Sequence, residues 1–568
     1  MNPDTRNLIA AICLSMSVLI GYQILFGEPT QQNVKKEQQL VDKNNEPSIE
    51  LPKDNNTSLT EVSKKTRNID RINIINDELQ GSISLLGARI DDLVLKKYRK
   101  TLDPESDQIR FLKKIDEREP FFIQFGWSSP NKNKVPNGNT VWKGSKSSLD
   151  PNNPVTLTWD NGEGLKFSQI ISIDDNYMIN VIQKVKNETN NSVSLYPYGL
   201  IRRSGEPKTT DFFVLHEGPL GVFDGSLKEH SYSDLKETGQ KGMSIKTEEN
   251  GGWIGITDKY WMAALIPDQN TNSNFTFRYV NNSTSYQTDF LGELSKIPAN
   301  GEIEIVSRVF SGAKKLNLLD KYEEDLKIKN FDLAIDFGWF YFLTKPFFYA
   351  LSWANNILGN FGLAILAITV VVKIIFFPLA NKSYKSMARM RVLTPQLQQL
   401  RERFGNDRQK MNMEMMALYK REKVNPAAGC LPILVQIPVF FALYKVLFVS
   451  IEMRQAPFFG WIKDLSALDP TSIFNLFGLL PYSTDFLPDF LNLGIWPLLM
   501  GATMVLQQRL NPKPPDPVQA QIFAWMPVVF TFLLATFPAG LVIYWTWNNL
   551  LSIAQQWIIT RKINKEKS

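Results

Sequence analysis

Six nearly uninterrupted apolar runs constrain this chain more than any other feature of its sequence. They hold 110 of the 568 residues, and the polar remainder lowers the mean hydropathy to −0.18. A helix needs about 20 apolar residues to cross the hydrocarbon core of a bilayer, and most of these runs come close to that length. About half of the chain is one hydrophilic block between the first two runs. The pattern excludes a purely soluble enzyme, a fully disordered chain and a transporter built only of helices.

The boundaries of the runs predict an alternation of membrane and aqueous segments. No A-x-A cleavage site follows the first run, and Ile12 stands immediately before Cys13 where a lipoprotein signal needs a small residue, so we expect an uncleaved anchor. The predicted segments are an anchor (1–27), a flexible linker (28–68), a β-sandwich domain (69–330), an interfacial amphipathic helix (331–360) and five further spans (361–379, 430–449, 490–506, 522–537 and 541–559). Between and after the spans lie a helical hairpin (380–429), an outer loop (450–489), an inner loop (507–521) and a basic tail (560–568).

The β-sandwich is predicted from short runs of alternating polarity between turn residues. Turn pairs such as Asn161-Gly162, Asn250-Gly251 and Asn300-Gly301 separate the runs, and helical periodicity is scarce. The clearest expected strands are 81–86, 155–159, 177–184, 253–256, 275–280 and 302–310. Many short strands with regular turns are typical of a sandwich of two sheets.

An aromatic stripe marks the segment that follows the β domain. Trp339, Phe342, Tyr349 and Trp353 recur at helical spacing, with Lys345 at the edge of the stripe. Aromatic rings favour the boundary between membrane and water, which indicates a helix lying in the interface. The alternative is a helix buried against the sandwich.

The charge of the connecting segments predicts their side of the membrane. Residues 380–429 carry 11 Lys and Arg against 4 Asp and Glu, whereas residues 450–489 carry 2 against 5. The tail at 560–568 carries 4 against 1. Because positive loops stay in the cytoplasm, the pattern predicts six spans, both termini inside and the large block outside. The basic excess points to anionic lipid, RNA or acidic protein neighbours rather than to DNA.

Few residues are available for enzyme chemistry. The chain has only two cysteines and two histidines, His216 and His230, whereas a zinc site takes three or four ligands of the Cys, His and carboxylate types. No Walker loop, GxGxxG or GxSxG motif occurs. We therefore predict no catalytic residues, no metal and no cofactor.

One charged residue, Lys373, lies deep inside the second apolar run. A cation at membrane depth is costly and is a candidate functional group, although a long side chain also reaches the boundary by snorkelling. Thr369 lies one turn before it, and Gln436 and Asn548 are polar residues of other spans. No span contains Asp or Glu, which leaves Lys373 available to an anionic group that binds transiently. Lys445, near the outer end of the third span, is expected to snorkel to the surface.

Several motifs in the second half of the chain resemble those of YidC-type membrane protein insertases. The resemblance covers residues 335–561, and the external β domain matches the Gram-negative members in position and size. The matching stretches are Phe377-Pro378-Leu379, Ser386-Met387, Glu414-Met415-Met416-Ala417-Leu418-Tyr419-Lys420, Val424-Asn425-Pro426, Gln436-Ile437-Pro438, Arg454-Gln455-Ala456-Pro457-Phe458 and Phe537-Pro538-Ala539-Gly540-Leu541.

The resemblance implies a polytopic α-helical membrane protein, with a five-helix insertase core and a large periplasmic β-sandwich, in the bacterial inner membrane. It implies insertion of nascent membrane proteins, alone or with the Sec translocon, through a positively charged groove open to the cytoplasm and the lipid bilayer. Lys373 stands where the family usually carries arginine. The groove residues expected here are Lys373, Thr369, Gln436, Tyr544, Trp545 and Asn548.

The hairpin is expected to receive the client. Six methionines between Met387 and Met416 form an adaptable apolar surface or, alternatively, pack its two helices together. Arg401, Arg403, Arg408 and Lys410 near its tip are candidates for docking a ribosome or targeting receptor. Two other functions stay open on the residues alone. They are an anion transporter or channel using Lys373, and a membrane-tethered glycan-binding protein.

Overall fold

The structure is a computed structural model that describes most of the chain from residue 69 to residue 567. The gaps within it are 210–214, 240–241, 248, 281–282, 339, 405–406, 423, 425–430, 485, 489–490 and 512–516. The predicted anchor (1–27), the linker (28–68) and Trp339 of the aromatic stripe therefore lie outside the described residues.

The first of two large β-sheets contains eleven of the described strands. They are antiparallel neighbours except for one short parallel pair, β1 with β7. The strands are β1 (Arg71–Ile75), β2 (Leu79–Ser84), β3 (Arg89–Arg99), β4 (Gln108–Leu112), β5 (Phe121–Ser128), β7 (Ser148–Leu149), β11 (Val193–Ser204), β14 (Met243–Lys246), β17 (Asn274–Val280), β18 (Ser285–Leu291) and β19 (Ser295–Ile297).

The second sheet contains nine of the described strands in the order β13-β12-β15-β16-β20-β10-β9-β8-β6. It is antiparallel throughout. The strands are β6 (Lys143–Gly144), β8 (Val155–Asp160), β9 (Leu165–Ile173), β10 (Met178–Asn187), β12 (Gly218–Phe223), β13 (Ser226–Glu229), β15 (Trp253–Thr257), β16 (Trp261–Ile266) and β20 (Glu302–Ala313).

The two sheets face one another across a single apolar core. Buried glutamine side chains bridge them, since Gln169 Nε2 of β9 donates to Phe125 O at 3.1 Å and Gln183 Nε2 of β10 donates to Gly126 O at 2.7 Å. All six predicted strands are present. Strand β5 was not predicted, because every one of its residues is buried and the sequence therefore has no alternation to detect.

Helices dominate the remainder of the described chain. Two short helices belong to the β domain, and eight longer ones follow it. They are α1 (Tyr232–Thr238), α2 (Leu316–Leu326), α3 (Tyr341–Leu358), α4 (Phe361–Ile375), α5 (Phe377–Phe404), α6 (Arg408–Arg421), α7 (Leu431–Val449), α8 (Ile495–Leu510), α9 (Pro517–Leu534) and α10 (Ala539–Lys567).

The helix ends differ from the predicted spans. The span predicted at 361–379 ends at Ile375, because a new helix, α5, begins at Phe377 and carries Pro378 in its first turn, where no backbone N–H is needed. The span predicted at 522–537 is shifted toward the N-terminus, since α9 covers Pro517–Leu534. The span predicted at 490–506 begins as a helix only at Ile495.

Length and hydropathy identify one candidate crossing among the described helices. No single described helix is long and apolar enough to cross a bilayer by itself, but α3 and α4 meet the requirement together across a 120° bend. Gln436–Val449 and Ala520–Leu534 are shorter apolar helices.

Helix α3 presents two chemically different faces. Phe348 and Leu351 are buried, whereas Phe342 and Trp353 of the predicted stripe are exposed to about two thirds. Lys345 lies in neither set, because its ammonium pairs with Asp332 at 2.5 Å and with Asp320 at 3.0 Å. The helix is therefore attached to the β domain along one face, while Phe342 and Trp353 of the stripe remain exposed.

A polar junction joins the β domain to α7. Lys445 Nζ lies 2.8 Å from Asp336 Oδ2, and only 13% of the Lys445 side chain is exposed. The same carboxylate accepts hydrogen bonds from the backbone N–H groups of His216 and Gly338, each at 3.0 Å. Snorkelling of Lys445 to the surface was thus the wrong expectation, since a carboxylate from a distant part of the chain reaches it instead.

We predict that Asp336→Asn weakens this junction. The substitution removes the carboxylate charge that lies 2.8 Å from the largely buried Lys445 ammonium, which should lower the free energy of unfolding by about 1–3 kcal/mol. Thermal unfolding of the detergent-solubilised chain measures the loss. Asp107→Asn is the matched control, because Asp107 pairs with Lys100 in an exposed ion pair that contributes less than about 1 kcal/mol. Equal losses in the two variants would contradict the structural role of the junction.

Candidate functional site

Lys373 lies near the C-terminal end of α4 and points toward α10. Its ammonium donates a hydrogen bond to Ser552 Oγ at 2.7 Å, and that hydroxyl donates in turn to Asn548 O at 2.9 Å. Gln555 Nε2 donates to the backbone O of Lys373 at 3.4 Å, so α10 holds both the side chain and the backbone. No ion pair joins Lys373 to a carboxylate within the part of the chain that the structure describes. Among the described residues, the hydrogen-bond partner of the cation is therefore a neutral hydroxyl.

A cavity of about 100 Å³ opens beside Lys373. Helices α4, α5, α7, α8 and α10 contribute to its wall, together with Phe347 of α3 and Asn511, which follows α8. The wall mixes apolar side chains with ten polar ones. The polar set is Thr369, Lys373, Tyr384, Gln436, Gln507, Asn511, Tyr544, Asn548, Ser552 and Gln555. Lys373 is the one charged residue of the described lining.

The structure brings together five of the six residues expected to form a groove. Lys373, Thr369, Gln436, Tyr544 and Asn548 all line the cavity. Thr369 is nearly buried and its Oγ1 donates to Ile365 O at 2.6 Å, which satisfies its hydroxyl within the helix. The lining therefore combines one cation with amide and hydroxyl groups.

Trp545, the sixth residue expected to form the groove, does not line the cavity. Its ring packs against Phe440, with the ring centroids 4.7 Å apart, and against Phe530 of α9 at 6.2 Å. Successive residues of a helix are 100° apart, so Trp545 cannot share the face that Tyr544 and Asn548 form at a spacing of four. The tryptophan packs α10 against its neighbours instead.

Further lining residues were not predicted as groove residues. Ser552 follows Tyr544 and Asn548 at the same four-residue spacing, so the periodicity of α10 contained the signal that identifies it. Tyr384 and Asn511 come from α5 and from the turn after α8, and no sequence periodicity connects them to Lys373. Only the packing of separate helices brings them to the cavity.

The methionines of the hairpin divide into two sets. Met387 is buried against α10, and Met390 and Met415 pack between α5 and α6. Met413 and Met416 are exposed, to 60% and 52%. Both expectations for the hairpin thus hold in part, since some methionines join its helices and others leave an apolar surface uncovered.

The proposed docking residues lie at the turn between α5 and α6. The side chains of Arg403 and Lys410 are exposed. The Lys410 backbone N–H donates to Asp407 Oδ1 at 3.0 Å, which caps α6 at this end. The side chains of Arg401 and Arg408 lie outside the described set.

Two family models together cover almost the whole described chain. The YidC periplasmic domain matches residues 71–350, and the 60Kd inner membrane protein family matches residues 353–566. The boundary between the two matches falls within α3.

Full-length relatives agree with this division. The chain is 48% identical to the membrane protein insertase YidC of Granulibacter bethesdensis, over 98% of each chain. It is 47% identical to the corresponding protein of Rickettsia bellii, over 99% of this chain and 100% of that one. The chain belongs to the YidC family of membrane protein insertases. The function of this family is the insertion of membrane proteins, and this result supports insertion over the transporter and glycan-binding alternatives.

Solved structures give weaker matches. An active YidC insertase with its first transmembrane domain resolved matches with a TM-score of 0.35 and 16% identity, over 87% of this chain and 96% of that one. A galactose mutarotase related enzyme from Lactobacillus acidophilus matches 42% of this chain and 97% of its own, with a TM-score of 0.28 and 9% identity. Scores of this size support no inference about activity.

The two histidines of this YidC family member occupy structural positions in the β domain. His216 Nε2 lies 3.0 Å from Pro219 O, and burial lowers the pKa of its imidazole. The His230 ring packs edge-on against Phe277, with the centroids 4.8 Å apart, and burial lowers its pKa as well. Neither imidazole lines the cavity at Lys373.

The polar lining predicts that water enters the cavity. In a chain with Cys13 and Cys430 replaced by alanine, a cysteine at Gln436 should react with a charged, water-soluble thiol reagent more than about tenfold faster than one at Phe441, because the reactive thiolate forms only where water reaches it. Phe441 is the control, since it lies on the same helix, is 43% exposed and is absent from the lining. Equal rates at the two positions would show that the cavity is dry.

Proposed function

We propose that the cavity at Lys373 is a hydrophilic, positively charged groove within the membrane, and that it receives the polar segment of a client protein during insertion. One observation carries the proposal. The described lining contains one cation and no carboxylate, so an acidic segment meets an ammonium group that no carboxylate of the described lining neutralises. The residues proposed to contact the client are Lys373, Thr369, Gln436, Tyr544, Asn548 and Ser552.

The groove lowers the largest cost of insertion. Moving polar groups without hydrogen-bond partners to membrane depth costs several kcal/mol per group, and a charged group costs more. The amides and hydroxyls of the wall, with the water that they hold, replace part of the lost hydration. A client's apolar helix then leaves the groove for lipid, which is favourable by roughly 25 cal/mol per Å² of apolar surface removed from water.

The attraction to Lys373 has to be weak for the client to leave. Lysine presents a compact ammonium group rather than the planar fork of arginine, so it does not hold a carboxylate in a fixed two-point contact. A single ion pair in a wet site contributes about 1 kcal/mol or less. The Ser552 hydroxyl offers Lys373 an alternative partner at 2.7 Å when the client departs.

The proposed topology places the groove on the cytoplasmic side of a bundle with six spans and both termini in the cytoplasm. The charge difference between the segments 380–429 and 450–489 supports this orientation. Helix α8 has 16 residues, a length of about 24 Å at 1.5 Å per residue. A span shorter than the hydrocarbon core thins the bilayer beside it, which reduces the distance that a client's polar segment must cross.

We further propose that the turn between α5 and α6 binds a ribosome or a targeting receptor, which delivers the client. We also propose that the helical bundle works beside the Sec translocon. Basic side chains at this turn support an electrostatic contact. The exposed Met413 and Met416 provide an adaptable apolar surface on the adjoining helix.

Substitution of Lys373 tests the groove. Lys373→Arg should retain insertion, because a cation remains at the same depth. Lys373→Ala should impair clients with acidic translocated tails, and Lys373→Glu should impair them more, because it repels the tail. The measurement is insertion of matched clients that differ only in tail charge, with the abundance of each variant determined in parallel.

Clients with neutral tails are the internal control for these variants. They should lose much less, since lipid thinning and the apolar helix still drive their insertion. Lys373→Ala should also remain folded, because removing the cation relieves a desolvation cost. If Lys373→Ala inserted acidic and neutral clients equally well, the charge would have no part in the mechanism.

The docking surface has a separate test. Neutralising Arg401, Arg403, Arg408 and Lys410 together should weaken binding to ribosomes or to a targeting receptor, and the loss should shrink as salt is raised, because exposed charges are screened. Binding is measured by co-sedimentation over a salt series. Unchanged binding at low salt would show that the contact lies elsewhere.

A further inference from the structure

A loop between α7 and α8 exposes apolar side chains without a single charged residue. The apolar loop, residues 470–484, contains no Asp, Glu, Lys or Arg. Leu479 is 83% exposed, and other large apolar side chains of the loop are between 38% and 51% exposed. These others are Ile473, Phe474, Leu476, Phe477, Leu480 and Tyr482. A loop that faces only water rarely presents so many apolar groups together.

The backbone of the apolar loop is hydrogen-bonded within itself. Phe477 N–H donates to Ser472 O at 2.7 Å, Leu480 N–H donates to Asn475 O at 3.0 Å, and the Asn475 side chain accepts from Gly478 N–H at 3.0 Å. These bonds satisfy several backbone polar groups within the loop, while its large apolar side chains are exposed. Backbone groups that are paired within a segment lower the cost of placing that segment against lipid.

Two residues of the loop adopt an uncommon backbone conformation. Leu476 and Phe477 have φ of 50° and 60°, in the left-handed region that large apolar residues seldom occupy. Such a conformation costs about 1 kcal/mol or more and persists only where the surrounding contacts impose it. Here it keeps two large apolar side chains at the exposed edge of the loop.

The base of the loop is attached to the membrane helices. Asp469 Oδ2 accepts from Trp496 N–H at 2.9 Å, and Thr471 Oγ1 accepts from Ile495 N–H at 3.0 Å, which ties the loop to the first turn of α8. The same outer segment contacts the β domain, since Arg454 Nη2 donates to Arg99 O at 2.5 Å. The loop therefore lies at the end of the helices that faces the β domain.

We propose that the apolar loop inserts into the lipid leaflet on the side of the β domain, with its side chains among the upper parts of the acyl chains. The loop leads into α8, where Leu499 is also 45% exposed. The chain belongs to a family of inner membrane proteins. Tyr482 of the loop and Trp461, whose Nε1 donates to Asp469 Oδ1 at 3.1 Å at the base of the loop, are residue types that favour the boundary between headgroups and acyl chains. The proposal does not depend on the groove at Lys373.

Fluorescence quenching in vesicles tests the insertion. The full chain, with Cys13 and Cys430 replaced by alanine, carries one environment-sensitive fluorophore on a cysteine at Leu476, Leu479 or Leu294. Leu294 of the β domain is the matched control, since it is 49% exposed against 51% for Leu476. Leu479 has an ordinary φ of −71°, so its cysteine variant does not disturb the strained positions.

We expect nitroxides attached high on the acyl chains of phosphatidylcholine to quench both loop labels strongly. We expect iodide, which stays in water, to quench the loop labels several-fold less than the label at Leu294. Iodide quenching equal to that at Leu294 would overturn the proposal, because the loop would then lie in water. Protection from both quenchers would overturn it as well, since a protein surface, such as a second copy of the chain, would be covering the loop.

Discussion

The groove proposed in the helical half of this protein depends on how one ammonium group is held. Lys373 reaches a hydroxyl of α10 instead of a carboxylate, and Ser552 passes the hydrogen bond to the helix backbone. An internal acid beside Lys373 would pair with the ammonium group and neutralise its charge. The absence of an acid from the described lining is therefore the feature that makes the cavity suited to a passing anionic segment, and the mixed polar wall is what allows an unpaired cation to remain there.

The attachment of the β domain complements this arrangement. Helix α7 lines the cavity through Gln436 and Val439, and farther along the same helix Lys445 is fixed by Asp336. Lys259 of the β domain adds a contact at the end of α7, with its ammonium 3.8 Å from the centre of the Phe448 ring. One end of α7 is thus held by a folded domain, while the other end borders the cavity. The hairpin, in contrast, packs on the bundle through a small cluster around Met387.

The sequence was informative where one local pattern decides the structure. Alternating polarity located six strands, and a lone charge in an apolar run located Lys373. It failed where packing between distant segments decides. Strand β5 is buried on both faces and has no alternation, and Lys445 takes a partner from the end of the β domain. Trp545, expected with the groove residues, does not line the cavity, and the helical spacing of Tyr544, Asn548 and Ser552 places it on another face of α10.

Site-specific photocrosslinking to a stalled nascent chain tests the central claim most directly. A photoreactive residue at Val439, which lines the cavity, should crosslink to the acidic translocated tail of a stalled client. One at Ile437, which is 42% exposed on the same helix and absent from the lining, should crosslink to lipid or to the client's apolar helix instead. Crosslinks from the acidic tail to Ile437 with none to Val439 would contradict the account, because the tail would then pass outside the groove.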